Sequence, residues 1–192
     1  LVVPDGKVFK PDPKALLVLQ RLCNAIGVDG SVAGRIADGL VAAKIVLTGP
    51  ATAAPLEPKT VAQLTWLGID AATVQALQPF VVILSQRTEV NVNTAPKEVI
   101  AAVANIDPAS AERLVQSRQR TPFRNIDAFR EQAASPTMPI EGYDVKSSFF
   151  EVRGRLRFDD HVLTERSIVY RNGATLDVQQ RERIASLEQV GG

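Results

Sequence analysis

The side chains that could carry acid–base or metal chemistry are few in this sequence. The single histidine, His161, follows Asp159 and Asp160 in a stretch typical of a hairpin turn. In extended backbone adjacent carboxylates point to opposite sides, so this cluster is typical of a solvated loop. No Ser-His-Asp set, carboxylate pair or glycine-rich phosphate loop is evident. The sequence therefore predicts a protein that is not an enzyme and that holds no catalytic cofactor.

Composition excludes further classes of function. The 22 basic and 21 acidic side chains leave a net charge of +1, so no global field attracts nucleic acid or anionic lipid. The single cysteine, Cys23, cannot form a disulfide framework or a cysteine-rich metal site within the chain. Its surroundings, LQRLCNAIG, read as an apolar helix face. We therefore expect Cys23 to be buried and unreactive.

Hydrophobic periodicity divides the chain into a helical part and a strand part. Helices are predicted over residues 13–27, 31–44, 60–68, 71–80, 95–104, 108–118 and 126–132, and strands follow residue 143. We expect an α+β fold with two small helix-turn-helix (SAM-like) subdomains, residues 1–88 and 89–143, and C-terminal strands over 144–192. The proline-bearing segments 47–59 and 131–144 are predicted to be connections.

A weak repeat marks the starts of three helices. The segments GVDGSVAGRI, GIDAATVQAL and NIDPASAERL each place a β-branched residue before an aspartate and an aliphatic residue seven positions after it. This spacing predicts an N-cap aspartate with a hydrophobic staple. The predicted caps are Asp29, Asp70 and Asp107.

The stretch NVNTAPKEVI, residues 91–100, predicts another helix start. Thr94 is the expected N-cap, with Pro96 in the first turn and Glu98 favourably placed in the helix dipole. Asn91 and Asn93 alternate with valines, which predicts extended backbone whose amides bond to a loop.

Paired helices also raise the alternative of a helix-hairpin-helix nucleic-acid binder. Such modules hold phosphate with backbone N–H groups of a glycine-bearing turn. The unit with the most arginines has Ala104-Asn105-Ile106-Asp107 at this turn, without glycine and with a carboxylate towards the phosphate. We therefore expect Arg113, Arg118, Arg120, Arg124 and Arg130 to form a solvated face.

The C-terminal strands present alternating chemistry. In SSFFEVRGRLRF, apolar side chains alternate with charged ones, which predicts a hairpin with one solvated face. The candidate partner-binding residues on this hairpin are Arg153, Arg155, Arg157, Glu165 and Arg166. In the helical part, Trp66 and Phe80 are expected to fill the core, and an exposed Trp66 would be an interface anchor.

The run VVILSQRTEVNVNTAPKEVIAAV resembles the patterned segment of a type II secretion system minor pseudopilin, the general secretion pathway protein K family. VAQLTWLGIDAATVQALQPFV and SAERLVQSRQRTPFRNIDAF are similar to the helical segments before and after it, and VKSSFFEVRGRLRF is similar to a C-terminal strand of the family. The resemblance covers about residues 13–171.

This resemblance implies a non-enzymatic subunit at the tip of a pseudopilus, with a helical domain inserted into a pilin-type α/β domain. The implied partners are the I and J minor pseudopilins. The implied location is the periplasmic side of the bacterial inner membrane, with anchoring by an N-terminal helix absent from this sequence. We expect the contact surface to be built around the C-terminal hairpin and the absent N-terminal helix rather than around the helical units.

Calcium is implied by the family but not by these residues. Family members carry an acidic cluster after the first helical pair, whereas IADGLVAAKIVLTGPATAAPLEPK offers only Asp38 and Glu57. Two isolated carboxylates do not supply the six or more oxygens that Ca²⁺ takes. No metal ligands are therefore assigned.

Overall fold

The computed structural model describes residues 1–6, 8–45 and 55–187. The chain has a mixed α and β fold and divides into two compact units, Leu1–Val145 and Lys146–Gly192. Residues 47–54 of the predicted connection 47–59 lie outside the described residues.

The first unit begins with an antiparallel hairpin and continues as helices. Strands β1 and β2 form the hairpin, and helices α1, α2 and α3 follow with a 3₁₀ helix between α2 and α3. Their bounds are Val2–Asp5, Val8–Pro11, Pro13–Ala25, Ser31–Ile45 and Ala71–Leu77, with the 3₁₀ helix at Val61–Leu67. The predicted helix positions are confirmed to within a few residues, because their apolar periodicity is a local signal.

Three more helices are described further along the first unit. Helices α4, α5 and α6 span Lys97–Ala104, Pro108–Arg120 and Ile126–Ala133. Two short parallel strands, β3 (Val90–Asn91) and β4 (Tyr143–Asp144), join the ends of this segment. Helix α4 ends where Asn105 takes a left-handed conformation, with φ of 53°. Asparagine is one of the few residues that adopt this region readily.

The first unit contains two hydrophobic cores. In the first core, α1, α2, the 3₁₀ helix and α3 pack together, and its buried residues include Cys23, Ile36 and Leu77. The second core gathers α4 to α6 around residues that include Ile100 and Phe129. Helix α1 packs against both, since its Leu16 and Leu19 contact the first core and its Val18 contacts the second. The division into residues 1–88, 89–143 and 144–192 stays a prediction.

The second unit is a three-stranded antiparallel sheet in the order β5-β6-β7. The strands span Phe149–Phe158, His161–Asn172 and Thr175–Leu187. The predicted hairpin is confirmed, with Asp159 and Asp160 as its two-residue turn, but His161 begins β6 opposite Phe158. The third strand, β7, was not predicted.

Candidate assembly surface

The register of β5 and β6 decides which side chains share a face of the sheet. Arg153 lies opposite Arg166, and Arg155 lies opposite Thr164. Directly opposite residues point to the same side of an antiparallel sheet. Arg153, Arg155, Arg157 and Arg166 therefore share one face, which we call the arginine face.

Ion pairs order one end of the arginine face. Glu151 accepts hydrogen bonds from Arg153 and from Nε of Arg166, the latter at 2.8 Å. Arg166 also approaches Glu182 of β7, at 3.4 Å. These bonds favour the charged forms and raise the pKa of Arg166 further above its usual range. Glu151 thus pairs with both arginines at this end of the face.

Glu165 lies on the opposite face, away from the other predicted partner-binding residues. It pairs with Arg183 at 2.6 Å and with Arg181 at 3.4 Å, both on β7. The hydrogen bond from Arg183 is the main cause that lowers the pKa of Glu165. A two-residue turn between β5 and β6 places odd-numbered residues of β6 on the face of even-numbered residues of β5.

That opposite face is largely apolar and exposed, and we call it the apolar face. Phe158 is 76% exposed and Leu156 is 68% exposed. The other large apolar side chains exposed on this face are Phe150, Val152, Leu163, Leu176 and Val178. The prediction of a hairpin with only one solvated face is therefore wrong for β5. Exposed apolar patches mark protein or membrane contact sites, and on this face the ion pairs of Glu165 with Arg181 and Arg183 lie among the apolar side chains.

The three predicted cap aspartates all accept hydrogen bonds at helix starts. Asp70 accepts from the Thr73 N–H at 2.9 Å, and Asp107 accepts from the Ser110 N–H at 2.9 Å. Asp29 accepts from the Ser31 N–H at 2.7 Å, but α2 begins at Ser31, so Asp29, predicted as the N-cap, lies one position before the N-cap position, which Gly30 occupies. The pKa of each carboxyl lies below its usual value, because hydrogen bonds favour the ionised form. The main one comes from a backbone N–H for Asp29 and Asp70 and from the Ser110 hydroxyl for Asp107.

Thr94 is not the N-cap of α4, so this prediction is corrected. The helix begins at Lys97 and Pro96 occupies the cap position. The Thr94 N–H instead donates to the Asn91 carbonyl at 3.1 Å, which closes a turn before the helix. Proline disfavours helical backbone in the residue before it, which delays the helix start.

Asn93 joins the helix start to a distant loop. Its Oδ1 accepts from the Phe123 N–H at 2.9 Å, and its Nδ2 donates to the Phe123 carbonyl at 3.0 Å. Phe123 packs edge-on against Phe129 in the second core. The amide predicted to bond to a loop therefore fixes the segment after α5.

Asp12 and Arg87 were missed by sequence reasoning. Asp12 caps α1, where its Oδ1 accepts from the N–H groups of Lys14 and Ala15, and its Oδ2 accepts from Arg87 at 3.0 Å. An aspartate directly before Pro13 is a local signal that could have revealed the cap. Arg87 follows 75 residues later and carried no such signal.

Two predictions about single side chains have opposite outcomes. Cys23 is fully buried, as predicted, and burial raises the pKa of its thiol. Trp66 is 46% exposed, so the prediction that it fills the core is wrong. A 3₁₀ helix has three residues per turn, so Val61, Leu64 and Leu67 form its inner face and Trp66 falls outside.

The arginines of α5 and α6 do not all form a solvated face. Arg118 is partly buried and donates to the Val92 carbonyl at 2.5 Å. Burial lowers its pKa from the usual value. Arg130 lies over the Tyr143 ring, with 5.6 Å between the guanidinium carbon and the ring centroid. These two arginines support the packing of the first unit.

The described residues hold no group of three or more histidine, cysteine, aspartate or glutamate side chains that could bind a metal ion. Glu57 is bonded to Lys44 at 2.7 Å and to Lys59 at 3.0 Å. Whether the protein binds calcium stays a prediction from the family. Within the described part of the chain, no helix combines the length and apolar character needed to cross a membrane.

Comparisons with known proteins point to one family. Residues 90–152 match the model of the family described as type II secretion system (T2SS), protein K. The chain is 35% identical over 105 residues to type II secretion system protein K of Pseudomonas aeruginosa, which covers 53% of this chain and 31% of that protein. It is 32% identical over 129 residues to the protein K of Klebsiella pneumoniae, covering 59% of this chain and 38% of that protein.

A third relative is similar over the same extent. The protein K of Dickeya chrysanthemi is 31% identical over 126 residues, covering 60% of this chain and 35% of that protein. The chain thus spans about a third of the length of the relatives it matches. None of the three is named as a nucleic-acid-binding protein. These matches confirm the predicted resemblance to the type II secretion system protein K family, whose model matches residues 90–152.

Proposed function

We propose that the chain is a non-enzymatic minor pseudopilin of a type II secretion system. It lies on the periplasmic side of the bacterial inner membrane and assembles with the I and J minor pseudopilins at the tip of the pseudopilus. There it initiates or caps the filament and supports protein export across the outer membrane. The observation that carries this proposal is the match of residues 90–152 to protein K. The balanced charge of the chain is consistent with assembly through local surfaces.

The C-terminal sheet is the proposed docking surface. Its apolar face offers exposed side chains whose burial would provide affinity. Its arginine face offers fixed charges, which govern the orientation and rate of association more than its strength. A stable contact typically hides about 800 Å² on each partner.

Two surface variants test this docking surface. Leu156→Ser removes an apolar side chain that is largely exposed, so we expect the stability of the chain to stay unchanged. Binding to the I and J proteins should weaken by about tenfold, as for an anchor residue. Arg157→Gln should mainly slow association and reduce its dependence on salt. Val8→Ser, on β2 of the first unit, is the matched control because Val8 is also exposed.

Calorimetry and surface-based kinetics with purified proteins provide the measurements. If both variants bind as the unchanged chain does, the sheet is not the docking surface. If the unchanged chain binds neither protein, the proposed function itself is wrong. A truncation that keeps only the second unit would begin at Lys146, where the division between the two units lies.

A further inference from the structure

The turn between β6 and β7 contains a chemically reactive pair, Asn172 followed by Gly173. Strand β6 ends at Asn172, and β7 begins at Thr175, which lies opposite Asn172 in the register. The main-chain nitrogen of the residue after an asparagine can attack the side-chain amide, and a side chain on that residue hinders the attack. Of the six asparagines in the sequence, Asn172 alone is followed by glycine. The other five precede alanine, valine, threonine or isoleucine.

The turn leaves the main-chain nitrogen of Gly173 accessible. Gly173 has a φ of 60°, and Ala174 does not take a positive φ, which is the pattern of a type II′ turn. The hydrogen bond of such a turn joins the two flanking residues, so the N–H of Gly173 takes no part in it. Apart from its chain neighbours, no described residue places an atom within 4 Å of where a Cβ of Gly173 would lie. The nitrogen is therefore not shielded by surrounding atoms.

The side chain of Asn172 is exposed and unrestrained. Within the described part of the chain, its amide group has no hydrogen-bond partner, although its main-chain carbonyl accepts from the Thr175 hydroxyl at 2.8 Å. The amide oxygens of Asn93 and Asn125, by contrast, each accept from a main-chain N–H at 2.9 Å. The side chain of Asn172 can therefore rotate towards the nitrogen of Gly173.

We propose that Asn172 is a site of spontaneous deamidation. The main-chain nitrogen of Gly173 forms a bond to Cγ of Asn172, and the side-chain nitrogen leaves with the proton of Gly173 as ammonia. The product is a cyclic imide, a succinimide. Water then adds to one of the ring carbonyls and breaks its bond to the ring nitrogen. Opening at Cγ gives aspartate, and opening at the main-chain carbonyl gives isoaspartate.

Ring closure requires local opening of the sheet. Asn172 is the last residue of an extended strand, so the nitrogen of Gly173 must swing towards Cγ and separate Asn172 from Thr175. The end of a ladder opens at a much lower free-energy cost than its centre. The reaction in the folded chain should therefore be slower than in the unfolded chain, and it should still occur.

The two products should change the sheet differently. Aspartate keeps the length of the backbone and adds a carboxylate to this end of the sheet. Isoaspartate routes the main chain through Cβ and adds one carbon to it, so the residues on the two sides of the turn cannot keep the same register. Leu176 and Val178, two exposed residues of the apolar face, follow directly on β7. The isoaspartate form should therefore loosen the pairing that positions them.

Incubation of the whole folded chain at mildly alkaline pH in water labelled with heavy oxygen tests the inference. After transfer to ordinary water, digestion at glutamate residues and mass spectrometry locate the label. The fragment that contains residue 172 should take up heavy oxygen before the fragments that contain the other asparagines, and it should separate into an aspartate and an isoaspartate form. Unfolding the chain in guanidinium chloride should speed the uptake.

Asn172→Gln is the matched control, because glutamine keeps the amide but must form a larger ring that closes more slowly. Its fragment should stay unlabelled over the same incubation. Absence of label at residue 172 in the folded chain would overturn the inference, and so would earlier labelling of another asparagine or equal labelling of Asn172→Gln. None of these outcomes depends on the proposed function.

Discussion

Asp12 links the start of α1 to a segment 75 residues away, and replacing it tests how the first unit is held together. The residue is only 7% exposed. One carboxylate oxygen accepts from Lys14 N–H at 3.0 Å and from Ala15 N–H at 3.4 Å, and the other accepts from Arg87 at 3.0 Å. Asp12→Ala removes all three bonds together.

The expected loss has two parts. Removing an N-cap aspartate costs about 1 kcal/mol of unfolding free energy. Arg87 is mostly exposed, so its ion pair with Asp12 contributes less than about 1 kcal/mol. Asp12→Ala should therefore lower the unfolding free energy by roughly 2 kcal/mol, which corresponds to a Tm decrease of about 4–8 °C.

Two further variants separate the two parts. Asp12→Asn keeps an oxygen for the helix N–H groups and loses the charge that faces Arg87, so it should cost about 0.5–1 kcal/mol. Arg87→Ala removes the ion pair and keeps the cap, and its cost should also stay below about 1 kcal/mol. Of the three variants, Asp12→Ala should lower the unfolding free energy most.

Urea unfolding followed by circular dichroism measures these differences. Asp38→Ala, an exposed change on α2, is the control and should leave stability nearly unchanged. A loss for Asp12→Ala no greater than that for Arg87→Ala would show that Asp12 does not cap α1. Equal losses for Asp12→Ala and Asp12→Asn would show that the charge, and not the cap, is what matters.

The other predictions concern close packing and acid stability. A Cβ at Gly39 would lie 2.9 Å from Cβ of Leu67, so Gly39→Ala should destabilise by about 1–3 kcal/mol. Gly34→Ala, on the same helix with open space around it, should stabilise by up to about 1 kcal/mol in thermal unfolding. Hydrogen bonds from Ser110 lower the pKa of Asp107 in the folded protein. This carboxylate therefore stabilises the fold at pH values above its unfolded pKa of about 3.8. The stabilisation is lost as the pH falls through the lower pKa of the folded state. Tm measured from about pH 5 downwards should fall less steeply for Asp107→Asn, and an unchanged slope would contradict this assignment.

The sequence by itself determined the helices and most of their starts. Apolar periodicity and capping involve residues only three or four positions apart, so their signals lie within short segments. Asp70 and Asp107 were recognised in this way, and each accepts the hydrogen bond expected of a cap. The alternation in β5 likewise revealed the strand and the shared side of its arginines, because a strand has a period of two residues.

Only the tertiary structure decided which distant residues meet and which faces stay exposed. Asn93 forms a hydrogen bond with Phe123, and Asp12 forms one with Arg87. No local sequence pattern predicts either pair. Glu165 lies on the face opposite the arginine face, because the two-residue turn between β5 and β6 sets the register of the sheet. The exposure of the apolar side chains of β5 could not be predicted from the sequence either. Alternation shows that a strand has two different faces, but the burial of each face depends on what packs against it.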